Sequence, residues 1–336
     1  MKEASEIKEL INSSERIVIT SHRSPDGDSI GSSLAMYRYL KAKGRNVTIC
    51  HPDPAPEFLQ WISEGSGLLN FEDEPEVVTE TMRTADLIFC LDYNGSSRMG
   101  HGMGDLLDEC TGKKVMIDHH PNPDDFVDIA VSVTEVCSTC QIVYEFIAAC
   151  GDEDIIDANI GEAIYLGIMT DTGSFRYSSV DARTHEIISS LINKGVKHTL
   201  IHENTFDGMR IDRLKLRGYA TSEKLEVINH YHVAFIALSA EELERFNYRK
   251  GDTDGLVNIA LAVKGVKVAV FFSEKDGQIK ISFRSKGDIA VNELAANEFN
   301  GGGHRNAAGG ASQDSLEDTI KHFKAVIPKY FGNINA

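Results

Sequence analysis

The chain has 336 residues, 42% hydrophobic and 25% charged, with a formal net charge of −17. That length predicts two domains, and the charge argues against binding long duplex nucleic acid, although a small anion at a locally neutralised site is compatible with it. No apolar run is long enough to span a membrane and the polar start MKEASEIKELINSSE has no signal-peptide core, so a cytoplasmic protein without a membrane partner is expected.

The N-terminal stretch reads as a helix. RIVITS then reads as a strand, SIGSSLAMYRYLKAKG as a helix ending at Gly44, and NVTIC, ADLIFCLDYN and KKVMIDHH as strands. CQIVYEFIAAC and DANIGEAIYLGIMTDTG read as helices. Short apolar strands separated by helices predict an α/β fold, a mostly parallel sheet flanked by helices. A helical stretch follows, and then strands (HVAFIAL, VKVAVFFSE, GQIKISFRS) mix with helices (DIAVNELAANEF, SLEDTIKHFKAVIPKYF), with a hairpin turn at Asp276-Gly277. The expected organisation is a larger α/β domain over 1–205, a helical linker over 206–228 and a smaller α/β C-terminal domain over 229–336. Of the six cysteines, Cys50 and Cys90 fall in strand-like runs, and CSTC at 137–140 reads as packing or a helix start rather than a zinc site. Free thiols fit a reducing compartment.

Ligands of parallel sheets bind beyond the carboxyl ends of the strands. Apolar runs here end at His22, at Asp92, at Asp118-His119-His120 and at Asp171, and SHRSPDGDS adds Asp26 and Asp28. Each has an ordinary reading when taken singly: a strand-end Asp forms turns, Asp28 is an N-cap, and His119 and His120 are loop residues. Their co-occurrence at successive element ends favours a metal site. A carboxylate-rich set with a few imidazoles suits Mn²⁺, Mg²⁺ or Fe²⁺, and its size suits two cations about 3.5–4 Å apart that share a carboxylate. Four ionised aspartates would be balanced by two divalent cations.

NGGGHRNAAGG raises a second question. Successive glycines allow a backbone that side chains block. Their N–H groups can form an anion nest, strengthened by a helix start behind them. His304 and Arg305 add donors, and Arg284, at the end of QIKISF, can grip a phosphate with two N–H groups. The ordinary reading is a tightly packed loop with Arg284 on a solvated face. Arg98 lies close behind Asp92 and either contacts a phosphate or braces its loop. Tyr177 either stacks on a base or packs at a rim.

These motifs resemble those of the DHH phosphoesterase superfamily: HRSPDGDSIGS, LD at 91–92, DHH at 118–120, TDTGSF at 170–175 and, near the end, FNGGGHRNAAGG at 299–310, like the DHH-associated C-terminal domain. Within it the chain is similar to the nanoRNase/pAp-phosphatase (NrnA-like) type, and to proteins described as exopolyphosphatase-related. The resemblance implies two divalent cations, Mn²⁺ foremost with Mg²⁺, Co²⁺ or Fe²⁺ as alternatives. His22, Asp26 and Asp92 would hold one; Asp28, Asp92, His119 and Asp171 the other. Catalytic roles would fall to His120, facing the phosphate, to the bridging Asp92 and to Asp118, orienting an imidazole. Arg284, Gly301, Gly302, Gly303, His304 and Arg305 would hold a terminal phosphate. The implied function is hydrolysis of short phosphorylated nucleotides: oligoribonucleotides to mononucleotides, and 3′-phosphoadenosine 5′-phosphate (pAp) to AMP. Alternatives are a cyclic or linear dinucleotide, pyrophosphate or polyphosphate as substrate, or a non-catalytic nucleotide- or RNA-binding module. A homodimer would be unsurprising.

Overall fold

The computed structural model describes residues 1–332, which divide after Gly208 into two compact units. Residues 333–336 of the expected C-terminal domain lie outside the described residues. The first unit runs α1 (Ala4–Ser13), β1 (Ile17–Thr20), α2 (Gly27–Ala42), β2 (Val47–His51), α3 (Gln60–Ser63), β3 (Leu69–Asn70), α4 (Pro75–Arg83), β4 (Leu87–Leu91), α5 (His101–Glu109), β5 (Lys113–Asp118), β6 (Ile129–Ser132), α6 (Thr139–Ala149), α7 (Ala158–Asp171), α8 (Ala182–Asn193) and α9 (His198–His202). Its six strands are parallel, in the order β3-β2-β1-β4-β5-β6.

The strands are apolar throughout because both faces are covered. Ile17, Ile19, Leu87, Phe89 and Leu91 pack on one side with residues of α2, α6 and α7. Val18, Cys50, Ile88, Cys90 and Met116 pack on the other with residues of α4 and α5. Strand order reverses between β1 and β4, which opens a crevice at their carboxyl ends. Two hydroxyls tie those ends together: Thr20 Oγ1 donates to the Phe89 carbonyl (3.0 Å) and Ser21 Oγ to that of Leu91 (2.8 Å).

The second unit contains α10 (Ile211–Ser222), β7 (Leu225–Ile228), β8 (Val233–Leu238), α11 (Ala240–Arg245), α12 (Leu256–Leu261), β9 (Val268–Lys275), β10 (Gln278–Ser285), α13 (Val291–Glu298), β11 (Gly302–His304), β12 (Ala307–Ser312) and α14 (Leu316–Phe331). Its mixed sheet has the order β11-β12-β10-β9-β8-β7, with only β8 and β9 parallel. The β9–β10 turn carries Asp276 and Gly277 at φ 54° and 75°, the left-handed pair a two-residue hairpin needs. Much of the stretch read as a linker is part of this unit: Leu216 and Ala220 of α10 are buried against Ala234 and Ile236 of β8, and β7 pairs with β8. Among the described residues no helix is long and apolar enough to cross a membrane.

Candidate metal centre

Four segments converge on the crevice. Behind β1, His22 is followed by Asp26, the N-cap of α2, whose Oδ1 accepts from the Asp28 and Ser29 N–H groups (3.0 and 3.1 Å). Asp28 is therefore not the cap. It is the second residue of α2, buried, and accepts from Thr139 N (2.6 Å) and Cys140 N (2.9 Å), the first amides of α6. Behind β4 comes Asp92, buried and in the left-handed region at φ 65°, a strained conformation of the kind that gathers at functional sites. Behind β5 come His119 and His120, and Asp171 closes α7.

The ligand atoms form overlapping groups. His22, Asp26 and Asp92 make one, and Asp28, His119 and Asp171 another, with the atoms of each within 4.8 Å of one another. His22 Nε2 is 3.4 Å from Asp92 Oδ2 and 3.9 Å from Asp26 Oδ1. His119 Nε2 is 3.3 Å from Asp171 Oδ2, 3.7 Å from Asp92 Oδ1 and 4.0 Å from Asp28 Oδ2. The two oxygens of Asp92 thus face different groups. Asp92, His119 and His120 form a third such cluster. The remaining imidazole nitrogens have backbone or carboxylate partners, which fix the ring orientations. His22 Nδ1 meets the Arg23 carbonyl (2.8 Å), and His120 Nδ1 meets Asp118 Oδ1 (2.7 Å), while Asp118 Oδ2 accepts from His120 N (3.1 Å).

The electrostatics suit cations. Burial, then the neighbouring Asp26, pushes the Asp28 carboxyl up to about 6. Burial, then Asp28, raises Asp92 well above the carboxylate range. His119 is pushed down to about 4 by burial and then by His120, so it stays neutral and able to ligate. Asp28 and Asp92, buried beside other carboxylates, are short of positive charge, and the donor set fits a pair of hard divalent cations. A pH effect follows from the sign. A carboxyl with a raised folded pKa binds more protons folded than unfolded, so as pH rises from about 4 to about 6 the metal-free protein loses the stability that protonated Asp28 contributed. Below that window protons compete with cations. The rise in melting temperature on adding Mn²⁺ is therefore expected to be larger at about pH 7.5 than at about pH 5. Equal shifts at both values in thermal melts with and without chelator would refute this.

Close helix packing places these ligands. An added Cβ at Gly31 of α2 would lie 2.5 Å from the Ala163 carbonyl of α7, and one at Gly167 would lie 2.2 Å from Cys140 Sγ and 2.5 Å from Asp28 Oδ1. Neither position has room for a side chain. CSTC is a helix start: Ser138 caps α6, and both thiols are buried, with Cys137 pushed up to about 11 chiefly by burial. Sequence reasoning missed Thr139 inside it, whose Oγ1 donates to Asp92 Oδ1 (2.9 Å). A hydroxyl directly after a cap was the available signal, but nothing local pointed it at residue 92.

Arg98 is exposed on the turn Ser96–Met99, and its carbonyl accepts from Arg23 N (3.0 Å), so its backbone braces the residue after His22. Tyr177 is 41% exposed and lies over Gly173, in the turn after Asp171 where Gly173, Ser174 and Phe175 have φ of 56°, 62° and 63°.

In the second unit the glycine-rich stretch corrects the sequence reading, because no helix starts behind it. Gly302–His304 is the edge strand β11, hairpinned to β12. Added Cβ atoms at Gly301 and Gly303 would meet the carbonyls of Gly309 (1.9 Å) and Ala307 (2.7 Å), so those glycines serve strand packing, whereas Gly302 has open space. Arg305 donates to the Asp288 carbonyl through Nε (3.2 Å) and Nη2 (2.7 Å). Arg284 and His304 are each paired with Ala307, from opposite sides, so both stand on one sheet face with only a methyl between them.

A doubly wound parallel sheet with paired imidazole–carboxylate groups at its switch point, on a chain with a second mixed-sheet unit, defines the class. Residues 16–168 match the DHH family N-terminal domain and 229–333 the DHHA1 domain, and the chain belongs to the DHH family. It is 30% identical to the bifunctional oligoribonuclease and PAP phosphatase NrnA of Thermus thermophilus, over 87% of this chain and 83% of that one. To the protein of the same name from Bacillus subtilis it is 28% identical, over 88% of each chain. The crystal structure of an exopolyphosphatase-related protein from Bacteroides fragilis superposes with a TM-score of 0.94 at 38% identity, covering 98% of this chain and 97% of that one.

Proposed function

We propose that this protein is a phosphoesterase that uses two divalent cations, Mn²⁺ foremost, to hydrolyse short oligoribonucleotides to mononucleotides and pAp to AMP. The observation that carries the chemistry is Asp92, with one oxygen toward His22 and the other toward His119. The names of the two NrnA relatives support the substrate class. His22, Asp26 and Asp92 would hold one cation, and Asp28, Asp92, His119 and Asp171 the other. When bound, the cations supply positive charge for the phosphoryl oxygens and lower the pKa of water.

The chain's own residues would do the rest. Asp118 accepts from His120 Nδ1–H and from His120 N, which holds the ring in one orientation. His120 would then donate from Nε2 to a phosphate or leaving oxygen as charge develops there. In the second unit Arg284 and His304, aligned across Ala307, would give two cationic or donor contacts to a substrate phosphate, and Gly302 leaves backbone open to close approach. Arg305 would hold the loop at Asp288 in place rather than grip the phosphate first.

The test is product release from pAp, a 5′-phosphorylated RNA dinucleotide, cyclic di-AMP, pyrophosphate and short polyphosphate, with Mn²⁺ and with chelator. AMP from pAp and mononucleotides from the dinucleotide are expected with Mn²⁺ alone. Turnover confined to pyrophosphate or polyphosphate would overturn the substrate class, and turnover undiminished in chelator would overturn the metal reading.

A further inference from the structure

We infer that Thr139 is a positioning residue for the shared carboxylate Asp92 and, through it, for the cation of the Asp28–His119–Asp171 group, an inference that rests on the two-cation reading above. Thr139 is fully buried and heads α6. It makes two contacts with proposed ligands. Its hydroxyl donates to Asp92 Oδ1 (2.9 Å), and its amide donates to Asp28 Oδ2 (2.6 Å). Both acceptors are the oxygens that face His119, at 3.7 and 4.0 Å.

Each carboxylate oxygen has two lone pairs. The Thr139 hydroxyl occupies one on Asp92 Oδ1, fixing the carboxylate plane and leaving the other for a cation. This restraint matters more at Asp92 than at an ordinary ligand. Its backbone sits in the left-handed region, and it must present two oxygens in two directions. Asp28 is held differently, by the amides of Thr139 and Cys140 at the positive end of α6, and those survive any change of side chain at 139. The hydroxyl can therefore be tested apart from the backbone contact. Outer partners of metal ligands typically account for about 10–100-fold in metal affinity.

The experiment is calorimetric titration of Mn²⁺ into metal-free wild type, Thr139→Val and Thr139→Ser, with electron paramagnetic resonance of each loaded protein. Wild type is expected to bind two ions and give the spectrum of an exchange-coupled pair. Thr139→Val keeps shape and branching but loses the donor. It is expected to keep one site near wild-type affinity, weaken the other by about 10–100-fold and show uncoupled Mn²⁺ at one equivalent. Thr139→Ser is expected to restore both sites, because it restores the hydroxyl. Two tight, coupled ions in Thr139→Val would overturn the inference and leave the two-cation reading intact. So would a serine variant as weak as valine, a comparison that stands even if the valine protein folds poorly. A wild type that binds no Mn²⁺ would overturn both.

Discussion

Asp92→Asn is expected to lower phosphoester hydrolysis by about 10³-fold or more while the metal-free protein melts at the wild-type temperature or above it. The activity loss follows from the two faces of Asp92. Its Oδ2 lies 3.4 Å from His22 Nε2 and its Oδ1 3.7 Å from His119 Nε2, so one carboxylate serves both donor groups. An amide offers a single neutral oxygen. If about 4 kcal/mol of transition-state stabilisation is lost with the shared ligand, the rate falls by about 10³. The stability half has the opposite sign. Asp92 is buried among Asp28, Asp26 and Asp118, and burial and their charges disfavour its ionised form. Asparagine removes that charge, keeps the shape, can still accept from Thr139, and tolerates the left-handed backbone at φ 65°. Initial rates with Mn²⁺ and melting curves in chelator measure the two halves. A variant with wild-type turnover would sink the mechanism, and one that fails to fold would sink the electrostatic account of the empty site.

Gly31→Ala is expected to destabilise the first unit by about 2–3 kcal/mol, near the upper end for overpacking, because the obstacle is a backbone carbonyl and not a side-chain tip. The added methyl would meet the Ala163 carbonyl at 2.5 Å, with Cys140 Sγ at 3.0 Å and Gly167 N at 3.1 Å behind it. For a unit of this size about 5–10 °C in melting temperature is expected by calorimetry. The helices forced apart carry Asp28 and Asp171, so Mn²⁺ affinity is expected to fall as well. Gly218→Ala is the control. Gly218 lies exposed in α10 with nothing near its added methyl, and alanine there is expected to be neutral or to gain about 0.5–1 kcal/mol. Equal effects at the two positions would mean that the α2–α7 contact does not set the spacing of the ligands.

Most of the centre was legible in the chain because strand ends announce themselves. RIVIT, LIFCL and VMI are short apolar runs that stop at His22, Asp92 and Asp118-His119-His120, and a parallel sheet brings such ends to one edge. Asp171 was legible for the same reason, at the end of a helix. Less legible was the local geometry. Asp26 and not Asp28 caps α2, since the cap is chosen by which carboxylate reaches the first free amides. The glycine-rich stretch became a hairpin edge and not a nest ahead of a helix, because β11 folds back on β12 and β12 pairs with the long strand β10.

By itself the sequence determined the parallel α/β architecture, the mixed second unit and the identity of the residues gathered at the crevice, because apolar period and strand-end chemistry are local properties written in consecutive residues. Only the tertiary structure decided how those residues are held. Thr139 meets Asp28 across 111 positions of sequence and Asp92 across 47, and Gly31 meets Ala163 through a contact that no local pattern encodes. Such contacts depend on which helix faces lie against each other, and that is settled by packing the whole core at once.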